Sequence, residues 1–137
     1  MFCLPICSVV SSKFKLHMDY NVILQKDSPI WHDIKKLSKK YTHVEQDFHS
    51  CILKLKQGKI PNIKKYPGFC GFVIKIRVKS QDIKRGKRAG FRLLCYRDPE
   101  RREIYPLLLY AKPEEQKERI IRERIIERIR RFGLPIP

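Results

Sequence analysis

The chain has 137 residues, 42% of them hydrophobic, and a formal net charge of +17 at pH 7. That length suits one domain with a single modest core, and that apolar content argues against wholesale disorder. A charge excess of this size repels itself and is most easily tolerated against a polyanion, with nucleic acid the leading candidate; a membrane surface would call for a basic amphipathic helix with a bulky apolar face.

The opening "MFCLPICSVV" is apolar, lacks a preceding basic stretch and is too short to span a bilayer. It reads as neither signal nor anchor, and residues 1–17 are expected to be a disordered extension or to precede a true start at Met18. Residues 20–25, "YNVILQ", read as a short strand. In "DSPIWHDIKKLSKKY", Asp27 or Ser28 is the expected N-cap, with Pro29 at the first helical position. Ile30, Trp31, Ile34, Leu37 and Tyr41 follow at helical spacing, with lysines outside. Thr42 with Glu45 three positions on suggests a capping box for a second helix, whose buried stripe is Val44, Phe48, Cys51, Ile52 and Leu55. Gly58 ends it.

The stretch "KIPNIKKYPGFCG" is rich in proline and glycine and reads as a loop. "FVIKIRV" alternates strictly, placing Phe72, Ile74, Ile76 and Val78 on one face and Val73, Lys75 and Arg77 on the other. "FRLLCYR" does the same, with Phe91, Leu93 and Cys95 opposite Arg92, Leu94 and Tyr96. A third strand, "IYPLLLYAK", carries Pro106, which implies an edge or a bulge. A final helix is expected to open at Pro113 with Glu114 and Glu115 near its positive end, and to run to about Phe132 along the seam Ile121, Ile125, Ile129. Glu115 with Arg119, Glu118 with Arg122 and Glu127 with Arg131 are candidate i,i+4 pairs. The order β-α-α-β-β-β-α specifies an α+β domain over residues 18–132, with a small, mainly antiparallel sheet, a helical hairpin packed on one face and a tail at 133–137.

The cations are unevenly placed. All 13 arginines lie between Arg77 and Arg131, and the span from Lys64 to Arg92 holds ten basic residues against one acid, Asp82. Lys84, Arg85, Lys87 and Arg88 sit in the loop joining the first two long strands, and Lys79 stands at its entrance. These five are the candidate RNA-binding residues, continuing onto the strand face that carries Lys75, Arg77 and Arg92. A solvated sheet face is the plain alternative for those cations, and a salt bridge to Asp98 or Glu103 the plain alternative for Arg92. Tyr96 is a candidate for stacking a base, with buried packing as the alternative. The five cysteines form no CxxC and no Cys/His pair at zinc spacing. They read as free thiols in a reducing cytoplasm, so neither a metal nor a cofactor is expected.

Four segments, "SPIWHDIKKLSKKY", "FVIKIRV", "GKRAGFRLLCY" and "IYPLLLYAKPEEQKE", in that order over residues 20–131, resemble the RelE/HigB branch of the RelE–ParE toxin superfamily. The resemblance implies the toxin of a type II toxin–antitoxin system, neutralised by a small antitoxin protein. It also implies a cytoplasmic, ribosome-dependent mRNA endoribonuclease that inhibits translation and needs no cofactor. In that chemistry a 2′-hydroxyl attacks the adjacent phosphate, leaving a 2′,3′-cyclic phosphate and a 5′-hydroxyl. By motif, the implied catalytic set is Lys75, Arg77, Arg92 and Lys112. Lys75 would contact phosphate and Arg92 would stabilise transition-state charge in bidentate fashion. Arg77 stands where the family often has a lysine proposed as base, and a guanidinium with a pKa above ~12 cannot serve as one. The position after Lys112, arginine in some members, is Pro113, and no tyrosine follows Tyr110. A ParE-like gyrase inhibitor, or an RNA- or ribosome-binding module without catalysis, are the competing expectations for the same fold.

Overall fold

A computed structural model describes residues 13–14, 20–59, 63–83 and 90–137. The elements are β1 (Lys13–Phe14), β2 (Asn21–Val22), α1 (Ile30–Leu37), α2 (Val44–Lys56), β3 (Ile63–Lys65), β4 (Val73–Val78), β5 (Phe91–Asp98), β6 (Glu103–Ala111) and α3 (Glu118–Arg131). The six strands lie in the order β1-β3-β4-β5-β6-β2, antiparallel throughout except for the parallel β2–β6 pair. This is an α+β fold with a mostly antiparallel sheet and three helices. Among the described residues no helix is long and apolar enough to cross a membrane.

The period-two pattern of β4 and β5 divides the core in two. Ile74, Ile76, Val78, Phe91, Leu93 and Cys95 pack against the hairpin of α1 and α2, meeting Ile34, Val44, Phe48 and Leu55. Val73, Leu94 and Tyr96 face the other way and pack against Ile121, Ile125 and Ile129 of α3. Each large apolar side chain so buried contributes about 1.5–3 kcal/mol. The hairpin therefore covers one face, as the sequence implies, and α3 covers part of the face that carries the strand cations. Pro106 sits at a bulge: Leu94 pairs with Leu108 and Cys95 with Pro106, so Leu107 is the extra residue.

Several local expectations are corrected. Pro29, not Asp27 or Ser28, occupies the N-cap of α1, because the Ser28 hydroxyl accepts the Gln25 N–H at 2.9 Å and closes a turn instead. His43 caps α2 in place of Thr42, whose hydroxyl donates to Asp82. The Asp82 carboxylate also accepts the His43 backbone N–H at 2.8 Å, and Asp47 accepts the Gln81 N–H at 3.0 Å. These bonds hold the exit of β4 against the start of α2. The supposed linker contributes β3, which pairs Lys64 with Lys75 and Lys65 with Ile74. From the expected N-terminal extension, Lys13 and Phe14 pair with Lys64 and Ile63. The last helix starts at Glu118, five residues later than Pro113 suggests: Lys112–Glu114 form a 3-10 turn, and Glu115 is extended at φ −61°, ψ 127°.

Candidate functional site

Antiparallel register gathers the strand cations into two adjacent rows. In one row Arg77 of β4 stands opposite Arg92 of β5, which stands opposite Tyr110 of β6. In the other, Lys64 of β3 stands opposite Lys75 of β4, followed by Leu94 and Leu108. Arg77 is exposed, Lys75 is half-buried, and Arg92 is 3% exposed. Like charges directly across a strand pair are unfavourable, yet Arg77 and Arg92 occupy such a position with the second of them sunk into the protein. Asp98 lies at the far end of β5 and pairs with Glu103, so the register places both carboxylates away from Arg92.

Beyond β6 the chain turns back over these rows. The Lys112 N–H donates to the Gly90 carbonyl at 2.8 Å, which fixes the lysine beside the start of β5. Its Nζ donates to Glu115 Oε1 at 2.5 Å, and the Tyr110 hydroxyl donates to Glu115 Oε2 at 2.8 Å. The electrostatics show how close the groups lie. Burial lowers the pKa of Lys75 below its ordinary 10.5; the Glu115 carboxylate opposes that, while the cations of Lys112, Arg92 and Lys64 reinforce it. Burial and the Arg77 charge likewise lower Arg92, against Tyr110 and Glu115. At Glu115 burial pushes upward, but hydrogen bonds from Lys112 and Tyr110 and the charges of Lys112 and Lys75 outweigh it and hold the carboxyl below its ordinary 4.5. Tyr110 is driven up, first by burial and then by its bond to Glu115.

A cleft of about 270 Å³ opens beside this cluster, with Lys64, Lys75, Tyr110 and Glu115 among its walls. A larger one of about 740 Å³ lies between α1, β6 and α3. There Lys40 meets Glu114 and Arg128 meets Asp33.

Of the residues singled out from sequence, Lys75, Arg92 and Lys112 come together around Glu115, and Arg77 stands opposite Arg92. Lys79 is exposed just past the end of β4. Lys84, Arg85, Lys87 and Arg88 lie outside the described residues. Tyr96 is 3% exposed and its hydroxyl donates to the Pro135 carbonyl, so it is a packing residue with no face for a base. Lys64, Tyr110 and Glu115 belong to the site and were not marked by the sequence. The available signal was Glu115 standing three residues after Lys112, at the end of a strand already carrying a candidate. No family model matches this chain, and no curated protein matches it either.

Proposed function

We propose that this protein is an RNA-cleaving toxin of the RelE/HigB type, paired with a small antitoxin protein and acting in the cytoplasm on mRNA at the ribosome. The observation that carries the reading is the in-register Arg77–Arg92 pair flanked by Lys75, Lys112 and Tyr110. Glu115 offsets part of this clustered charge in the free protein, and an entering phosphate offsets more. The order of the four motif segments and the α+β architecture support the same reading. The observed elements add the short strands β1 and β3 to the expected order β-α-α-β-β-β-α.

In the reaction the scissile phosphate lies over Arg92, Lys75 and Lys112. Arg92, whose Nη1 also donates to the Phe91 carbonyl at 3.2 Å, offers its remaining N–H donors to the phosphorane oxygens, and its burial strengthens each contact because little water competes. Lys112 and Lys75 add point charges on either side. Arg77, the most exposed of the set, binds the flanking backbone phosphate. Lys84, Arg85, Lys87 and Arg88 add charge for binding the RNA backbone.

The test is incubation of purified protein with ribosomes and a defined mRNA, with mapping of the new ends. Cleavage should leave 2′,3′-cyclic phosphates and 5′-hydroxyls, and a 2′-deoxy substitution at the cut site should abolish it. Arg92→Lys keeps the charge and loses the fork, and should slow cleavage about 10²- to 10³-fold. Intact mRNA with wild-type protein under conditions where RNA is bound would overturn the reading.

A further inference from the structure

We infer that Glu115 is the general base of this site, the carboxylate that takes the proton from the attacking 2′-hydroxyl. The inference rests on the RNA-cleavage reading and supplies what the motif residues lack. Attack by a 2′-hydroxyl needs a group that is unprotonated at neutral pH. Arg77 and Arg92 stay charged, as guanidinium groups do in proteins. Lys112 is committed as a donor to Glu115. The phenol of Tyr110 is likewise a donor to it. Among the described residues that line the smaller cleft, the acids are Glu115 and Glu118, and Glu118 is engaged by Arg122 at 3.1 Å.

Glu115 meets the geometric requirements. Each of its oxygens accepts one hydrogen bond, Oε1 from Lys112 and Oε2 from Tyr110, which leaves a lone pair on each for an incoming hydroxyl. Its side chain is 28% exposed and opens into the cleft it shares with Lys75. The groups facing it come from several elements: Tyr110 from β6, Lys112 from the 3-10 turn, Lys75 from β4, Arg92 from β5 and Tyr66 from the turn after β3, with Lys64 and Lys65 of β3 and Glu118 of α3 in the walls of the same cleft. The surrounding cations keep it ionised, as a base must be before the reaction begins. The extended backbone at Glu115, between the 3-10 turn and α3, holds the carboxylate over the strand rows instead of on the helix surface.

The 2′ O–H bond breaks and its proton passes to Glu115 as the 2′ oxygen bonds to phosphorus. The bond from phosphorus to the 5′ oxygen breaks, and that oxygen takes a proton from the Lys75 ammonium. Water then carries the proton from Glu115 back to Lys75.

The experiment compares wild type with Glu115→Gln and Glu115→Asp in single-turnover cleavage on ribosomes, using one mRNA with a normal cut site and one with a 5′-bridging sulfur there. RNA affinity and melting temperature are measured alongside. Loss of the base should slow Glu115→Gln at least about 100-fold on both substrates with RNA affinity undiminished. The sulfur leaving group needs no acid, so recovery on that substrate would show that Glu115 only positions the lysine donors and would overturn the inference. Cleavage by Glu115→Gln within about threefold of wild type would also overturn it. Glu115→Asp retains a carboxylate and should cleave faster than Glu115→Gln on both substrates; if Glu115→Gln melts early, Glu115→Asp cleaving no faster than Glu115→Gln at a temperature where both are folded would overturn the assignment. Failure of wild type to cut RNA is a separate outcome, which removes the proposed function itself.

Discussion

Arg128 of α3 reaches across β6 to Asp33 of α1, with its two terminal nitrogens donating to the two carboxylate oxygens at 2.5 and 2.9 Å. Arg128 also donates to the Leu107 carbonyl at 2.7 Å, and Asp33 accepts the Leu109 N–H at 3.1 Å. Both residues are 7% exposed. The pair thus joins a helix on each face of the sheet to the bulged strand between them, and it satisfies two backbone groups of that strand. Breaking one half strands a buried charge. Asp33→Ala should destabilise the fold by about 3–5 kcal/mol in denaturant titration, whereas Asp33→Leu combined with Arg128→Met should recover much of that loss. Equal stability of the single and double variants would show that the charge itself is not what the site depends on.

Gly90 couples the end of β4 to Lys112. It lies at φ +107°, and a Cβ there would stand 2.6 Å from the Val78 carbonyl oxygen. Its own carbonyl receives the Lys112 N–H. Gly90→Ala must therefore shift backbone on two strands at once, at a cost of about 1–3 kcal/mol, and must move Lys112 with it. Cleavage should fall further than stability alone explains, measured as the rate at a temperature where the variant is fully folded.

Much of this architecture is legible because it is local. The strands β4 and β5 announce their two faces by alternation, so the shared side of Lys75, Arg77 and Arg92 follows from sequence alone. The apolar stripes at Ile30 and Ile34, and at Val44, Phe48 and Cys51, do the same for the helices. What local pattern misses is settled by distant partners. Ile63–Lys65 is too short and too rich in neighbouring proline and glycine to read as a strand until β4 is there to pair with it. Pro113 and two glutamates look like a helix start, but Tyr110 and Lys112 capture Glu115 and delay the helix to Glu118. Asp33 reads as an ordinary first-turn acid, since its partner lies 95 residues away.

The site should trade stability for charge at Lys75. Burial and neighbouring cations lower its pKa from 10.5 in the folded protein, so the protonated form is less favoured folded than unfolded. At neutral pH that penalty is fully present. As pH rises from the folded value towards 10.5, the folded protein sheds its proton first, the unfolded chain holds more protons, and stability increases. Lys75→Met should therefore be more stable than wild type at pH 7, with the advantage shrinking as pH approaches 10.5, and should lose RNA cleavage. Melting curves taken between pH 7 and 10.5 decide it: a constant or growing difference would contradict the desolvation account.

The cations of the loop, Lys84, Arg85, Lys87 and Arg88, are assigned to binding and the strand residues to chemistry, and the two roles separate experimentally. Phosphate contacts to single-stranded RNA release counterions, so the logarithm of affinity falls with the logarithm of salt at about 0.7 per contact. Replacing all four loop cations by alanine should flatten that slope by about 3 and weaken binding at low salt, while the maximal single-turnover rate at saturating protein stays near wild type. Arg92→Lys should show the reverse pattern, with a slope almost unchanged because the charge is kept and a rate that collapses because the fork is lost. Binding titrations over a salt series, paired with saturating cleavage rates, distinguish these outcomes. If this variant lost its maximal rate with an unaltered slope, the four cations would serve catalysis and not binding.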